Sequence, residues 1–141
     1  MNKFVSIIMP NYNCSRFIAQ TIDSVILQTY QNWELIIVDD KSTDDSVSII
    51  QKYQAKDSRI KLFINKTNSG AAYSRNTALL NTKGVYIAFL DSDDLWVPNK
   101  LEKQVKFMDD NNCDFSYTEY SLIDEDNAFY FMTHTEFSRS S

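Results

Sequence analysis

The sequence predicts an α/β fold, three layers α/β/α around a mostly parallel central sheet. Two observations carry the prediction. Short, continuous apolar runs alternate with amphipathic segments along the chain, the pattern of strands buried on both faces by crossover helices. Polar and acidic residues stand directly after these runs, at the carboxyl ends of strands, where such sheets bind ligands.

Taken in order, residues 5–9 are apolar, β-branched and stopped by Pro10, which reads as a buried strand. Residues 15–28 carry Ile18, Ile22 and Val25 at helical spacing. Residues 34–38 form a second buried strand that ends at Asp39 and Asp40. Thr43, followed by Asp44 and Asp45, opens a helix with acids in its first turn, and Val47, Ile50 and Tyr53 of that helix face inward. Residues 60–64 are a third strand. Asn68, Ser69 and Gly70 turn into a helix over residues 71–80, and residues 85–90 are a fourth strand. Pro98 suits a first helical turn, and Leu101, Val105 and Met108 mark the helix. Residues 115–118 read as a fifth strand. After Ile123 the pattern decays, so residues 1–123 are read as the domain and 124–141 as a poorly patterned tail.

Composition removes several function classes. The 141 residues, 43% of them hydrophobic, suffice for one domain with a real core. A net charge of −5 offers no basic field to a phosphate backbone, so nucleic acid is not an expected partner. Two cysteines, Cys14 and Cys113, with no CxxC and one histidine, His134, argue against zinc. The thiols suit a reducing compartment, and His134 reads as a surface residue. No run approaches the ~18 apolar residues of a membrane span, and Pro10 interrupts the start before a signal-peptide core forms. The chain reads as soluble and cytoplasmic, able to work at the inner face of a membrane.

The acidic group Asp91-Ser92-Asp93-Asp94 follows the fourth strand. Two carboxylates ~4 Å apart repel by about 4 kcal/mol at an effective dielectric near 20, and a divalent cation relieves that repulsion. In an extended stretch, residues i and i+2 face one side, so Asp91 and Asp93 could share a hard ion, Mg²⁺ or Mn²⁺, with Ser92 turned away. An EF-hand fails, because Leu95 and Trp96 occupy loop positions that need an oxygen ligand and glycine. Asp39-Asp40 could accept hydrogen bonds from a ribose hydroxyl or a base N–H. Arg75, on the helix that begins near Ala71, offers a planar donor fork beside a helix N-terminus. Tyr12 and Trp96 could stack on a base or sugar. With two glycines, Gly70 and Gly84, neither GxGxxG nor a P-loop is possible.

Four segments resemble, in order, the motifs of family 2 glycosyltransferases with the GT-A fold. They are residues 5–13 through Pro10, Asn11, Tyr12 and Asn13, residues 34–44 through Asp39 and Asp40, residues 68–79 with Gly70, Arg75 and Asn76, and residues 89–94, similar to the metal-binding DXD motif. The resemblance implies the Rossmann-like, nucleotide-sugar-binding half of a GT-A domain with the C-terminal half truncated. It implies a hexosyltransferase-type enzyme that takes a nucleotide-diphospho-sugar, a UDP-sugar favoured, and transfers the sugar with inversion to a saccharide or lipid-linked acceptor in polysaccharide biosynthesis. Asp40 then contacts the base, Pro10 and Tyr12 line the nucleotide pocket, Arg75 contacts nucleotide or phosphate, Asp91 lies by ribose and metal, and Asp93 ligates Mn²⁺ or Mg²⁺. No segment matches the family's general base. Glu119, Asp124, Glu125, Asp126 and Glu136 are the later acids, and none is assigned. A half-domain of this kind also invites self-association through exposed apolar surface. The alternative is a noncatalytic nucleotide-binding or assembly module that keeps the fold. A receiver-like signalling domain is disfavoured because no Lys-Pro pair occurs.

Overall fold

In a computed structural model, which describes residues 2–127, 129–131 and 138–139, the apolar runs become strands of one parallel sheet. β1 (Val5–Asn11), β2 (Trp33–Asp39), β3 (Ile60–Ile64) and β4 (Tyr86–Phe89) stand in the order β3-β2-β1-β4. Ile8 of β1 is in register with Ile36 of β2 and with Phe89 of β4. All four carboxyl ends therefore lie along one edge. The two central strands are buried almost throughout, which explains their unbroken apolar sequences.

Three helices cover this sheet: α1 (Ile18–Ile26), α2 (Ser46–Lys56) and α3 (Ala71–Leu79). Ala78 of α3 packs with Ile8, Ile36 and Val38, and Phe63 and Ile87 flank that cluster. Right-handed crossovers from β1 to β2 and from β2 to β3 put α1 and α2 on the opposite face, and the return from β3 to β4 puts α3 alone on its own. The predicted three layers are present in this unit, Asn2–Asn99. Ile18, Ile22 and Val25 are buried as the helical spacing predicts.

Two helix starts fall later than the sequence suggests. Phe17 and Ile18 donate their amides to the Cys14 carbonyl, so residues 15–17 form a turn and α1 begins at Ile18. Thr43 does not cap α2. Its amide donates to Asn13 Oδ1 at 2.8 Å, while Asp44 receives the Ser46 amide on Oδ1 and the Ser15 amide on Oδ2, both at 2.9 Å. Asp44 thus ties the loop after β1 to the start of α2. Burial pushes its carboxyl up, but hydrogen bonds from Ser46 and Ser15 outweigh it and bring the pKa down to about 2.

At the amino ends of the strands, Ser6 donates to Glu34 Oε1 at 2.6 Å, and Lys61 Nζ pairs with Glu34 Oε2 at 2.5 Å. The Lys83 amide donates to Glu34 Oε1 at 2.9 Å and the Gly84 amide to Ser6 Oγ at 2.8 Å. A Cβ on Gly84 would lie 2.4 Å from the Ser6 nitrogen, so the close approach of this turn to β1 requires glycine.

The described residues from Lys100 onward form a second unit. Its helix α4 (Lys100–Asn111) buries Leu101 and Val105. Lys100 Nζ donates to Gln104 Oε1 at 2.8 Å, and burial brings its pKa down to about 8. The predicted fifth strand does not extend the parallel sheet among the described residues. β5 (Ser116–Tyr117) pairs antiparallel with β8 (Ser138–Arg139), and β6 (Leu122–Ile123) pairs antiparallel with β7 (Phe129–Phe131). Strands of two or three residues are too short to show a period, which is why the sequence pattern decays here. His134 and Glu136 lie outside the described residues.

Candidate functional site

The residues singled out in the sequence converge at the carboxyl edge of the sheet. Pro10, Tyr12, Asp40, Arg75, Asp91 and Asp93 all line one open pocket of about 240 Å³. Asn11, Cys14, Ala71, Ser74 and Ser92 complete its wall. Trp96 is not among the lining residues; its backbone amide donates to Ser24 Oγ at 3.2 Å.

The two acids that end β2 have different tasks. Asp39 is fully buried and faces inward: Oδ1 receives Asn11 Nδ2 at 2.7 Å and Ser42 Oγ at 2.6 Å, and Oδ2 receives the Ser42 amide at 2.8 Å. These bonds hold the turn through Lys41, whose φ of 62° places a non-glycine residue in the left-handed region. Asp40 reaches across to α3. Its Oδ1 receives Asn65 Nδ2 and the Ser69 amide, each at 2.8 Å, and its Oδ2 receives the Gly70 amide at 2.7 Å. Burial pushes the Asp40 carboxyl up, and the bonds from Asn65, Ser69 and Gly70 outweigh it, so the group is held below the usual carboxylate range. Gly70 adopts φ 93°, which lets its amide turn toward that carboxylate.

Asp40 thus takes up the amides of Ser69 and Gly70 just ahead of α3. An ionised carboxylate offers about four lone-pair sites, and the three bonds leave Oδ2 room for one more donor.

Asn65 also donates to Ser74 Oγ at 2.9 Å, so the same network fixes the helix that carries Arg75. Arg75 Nη2 lies 2.8 Å from Asp91 Oδ1 at the pocket wall, with both side chains solvent-accessible.

The acidic group is a turn rather than an extended stretch. The Asp94 amide donates to the Asp91 carbonyl at 3.1 Å, which breaks the i, i+2 argument. Ser92 is buried, and its carbonyl accepts Thr21 Oγ1 at 2.9 Å, while Asp91 and Asp93 both line the pocket. Asp94 is held above the usual carboxylate range by burial and then by the charges of Asp93 and Asp91. That crowding of negative charge is the electrostatic setting a cation relieves. Among the described residues no three of His, Cys, Asp or Glu stand close enough to hold a metal by themselves. Asp91 and Asp93 are the carboxylates here that could hold a hard divalent cation, whose remaining ligands would have to come from elsewhere.

The wall residues missed by sequence reasoning had weak signals. Ser74 is one helical turn from Gly70 and only the fold reveals its bond to Asn65. Asn11 is 2% exposed, and its role as a donor to Asp39 and Ser42 could be guessed only from its place at the end of β1.

Comparison with known proteins points to one family. The model of the family described as glycosyl transferase family 2 matches residues 6–140. The chain is 50% identical over 119 residues to the UDP-Glc:alpha-D-GlcNAc-diphosphoundecaprenol beta-1,3-glucosyltransferase WfgD of Escherichia coli, covering 84% of this chain and 46% of that protein. It is 51% identical over 120 residues to WfaP, an Escherichia coli enzyme of the same description, covering 85% of this chain and 47% of that one. The chain thus spans about half the length of these relatives. Among solved structures it is similar to S. aureus TarS 1-349 in complex with UDP, with a TM-score of 0.74 and 33% identity, over 79% of this chain and 33% of that one. It is also similar to the mannosyltransferase PcManGT from Pyrobaculum calidifontis in complex with GDP-Man and Mn²⁺, with a TM-score of 0.73 and 28% identity, over 79% of this chain and 34% of that one.

Proposed function

We propose that this chain, which belongs to glycosyl transferase family 2, binds the nucleotide-diphospho-sugar donor of a metal-dependent, inverting sugar transfer. One observation carries the reading: six residues chosen from separate sequence motifs line a single pocket at the carboxyl edge of a parallel sheet. The donor-binding part of the reaction is assigned to this chain, which spans about half the length of its relatives.

The chain's own groups suit that donor. The remaining lone pair of Asp40 Oδ2 accepts an N–H from the base edge, and Tyr12, 49% exposed, offers an aromatic face beside it. Arg75, whose guanidinium lines the pocket beside Asp91, offers a donor fork for the diphosphate. Asp91 and Asp93 would hold Mg²⁺ or Mn²⁺, and the bound ion supplies neutralisation of the charge that grows on the departing nucleoside diphosphate. Departure of that group opens the anomeric carbon to an acceptor hydroxyl, whose proton needs a general base. No described residue is assigned that task. A UDP-sugar is the favoured donor, since the two Escherichia coli relatives are named for UDP-Glc and TarS was solved with UDP. The names of the same relatives, which carry a diphosphoundecaprenol substrate, support a saccharide or lipid-linked acceptor. Among the described residues no helix is long and apolar enough to cross a membrane, and we place the transfer at the cytoplasmic face, where a nucleotide sugar is available.

Calorimetric titration of the chain with UDP and GDP, each with and without Mn²⁺, tests the reading. Tighter binding of UDP when Mn²⁺ is present supports it. Equal binding with and without the metal, or no binding of either nucleotide, contradicts it.

A further inference from the structure

We propose that Thr21, Ser24 and Gln28 are positioning residues: one side of α1 and its extension serves as a rail that holds the acidic turn in register for metal-coupled nucleotide binding. The inference rests on the donor-binding reading and adds to it residues that touch neither nucleotide nor metal.

The segment from Leu90 to Asn99 has no strand or helix of its own, so its buried backbone groups need partners from elsewhere. Two residues of α1 and two just past its C-terminal end provide them. Thr21 Oγ1 donates to the Ser92 carbonyl at 2.9 Å. Ser24 Oγ accepts the Trp96 amide at 3.2 Å and donates to the Thr21 carbonyl at 2.7 Å. Gln28 Nε2 donates to the Val97 carbonyl at 2.8 Å, and the Thr29 amide donates to the Pro98 carbonyl at 2.8 Å. Thr21 and Ser24 share one face of α1, and Gln28 and Thr29 follow just past its C-terminal end.

The chemistry of the rail is not what packing alone selects. Thr21 is fully buried beside Ile18, Ile22 and Val25, and Gln28 is 1% exposed. Valine would fill the threonine site with nearly the same volume, and a polar amide at a buried position is kept only when it is bonded. The hydroxyl has a specific task, because Ser92 is 5% exposed and its carbonyl would otherwise be buried without a donor. Asp91 and Asp93 flank that carbonyl directly. A turn anchored between its two carboxylates presents them in fixed places, and a loosened turn must be ordered when ligand binds, which lowers affinity.

The test is calorimetry on the full chain with UDP alone and with UDP plus Mn²⁺, for wild type, Thr21→Val and Thr21→Ser, with thermal melts beside it. The expectation is that Thr21→Val reduces the manganese enhancement of UDP binding by about tenfold, the scale of one buried carbonyl left without its donor. UDP alone should bind as in wild type, and Thr21→Ser should restore the enhancement. A full enhancement in Thr21→Val overturns the inference, as does an equal loss of binding with and without metal, the mark of a general structural lesion. If Thr21→Val does not fold, Ser24→Ala carries the same expectation, and a wild-type enhancement there overturns the rail. A wild type that binds UDP without any manganese effect overturns the donor-binding reading and the rail with it, whereas a wild-type effect that the variants retain removes the rail alone.

Discussion

The Gly70 amide donates to Asp40 Oδ2 at 2.7 Å, joining the end of β2 to the first turn of α3. The bond makes Asp40 both a wall of the pocket and the anchor of the helix that carries Arg75. Asp40→Asn keeps the shape but presents an NH₂ group to amides that need an acceptor. It should lower stability by about 1.5–3 kcal/mol, the range for a hydrogen bond to a charged group. Urea denaturation checks the stability, and UDP affinity measured on the same sample should fall as well.

Acid should loosen the loop that Asp44 holds. Its folded pKa of about 2 lies below the ordinary 3.8, so the carboxylate stabilises the fold fully above pH 3.8 and loses that contribution as pH falls toward about 2. Asp44→Asn should be less stable than wild type at neutral pH, and its stability should change less over that acid window. Equilibrium unfolding at a series of pH values measures both.

Arg75 and Asp91 form an accessible pair, 37% and 53% exposed, whose worth to stability is at most about 1 kcal/mol. Arg75→Ala should therefore melt close to wild type. Its two binding effects should have opposite signs. With the guanidinium gone from Asp91, bare Mn²⁺ should bind a few-fold more tightly, on the order of one exposed ion pair. UDP in the presence of Mn²⁺ should bind on the order of tenfold more weakly for want of the cationic fork. Manganese titration followed by electron paramagnetic resonance, then UDP calorimetry, separates the two.

Gly84→Ala should be the most disruptive single methyl in the Asn2–Asn99 unit. The added carbon would lie 2.4 Å from the Ser6 nitrogen and 2.7 Å from the Tyr86 carbonyl, both backbone atoms that cannot turn aside. A loss of about 1–3 kcal/mol is expected, since a methyl forced against rigid backbone neighbours relaxes poorly. Thermal unfolding measures it.

Much of this arrangement was legible in the residues. Unbroken apolar runs at β1 and β2 announced strands buried on both faces, and Ile18, Ile22 and Val25 announced α1 by spacing alone. Asp40, Asp91 and Asp93 stood out because parallel strands bring their carboxyl ends to one edge, whereas Pro10 came in through the family resemblance. Other features were hidden for physical reasons. Thr43 looked like a helix cap, yet the competing bond came from Asn13, thirty positions away. The acidic group looked extended, and only the Asp94 amide and the Thr21 hydroxyl show it to be a turn. Asp40 looked like a free carboxylate, because the amides of Ser69 and Gly70 leave no trace in the side-chain pattern.

A crystal structure of the chain with UDP and Mn²⁺ tests the central claim most directly. The account predicts the base edge within hydrogen-bonding distance of Asp40 Oδ2, and the metal between Asp93 and the diphosphate, with Arg75 drawn toward the phosphate oxygens. UDP bound away from this pocket, or seated in it with the metal off the acidic turn, would contradict the account.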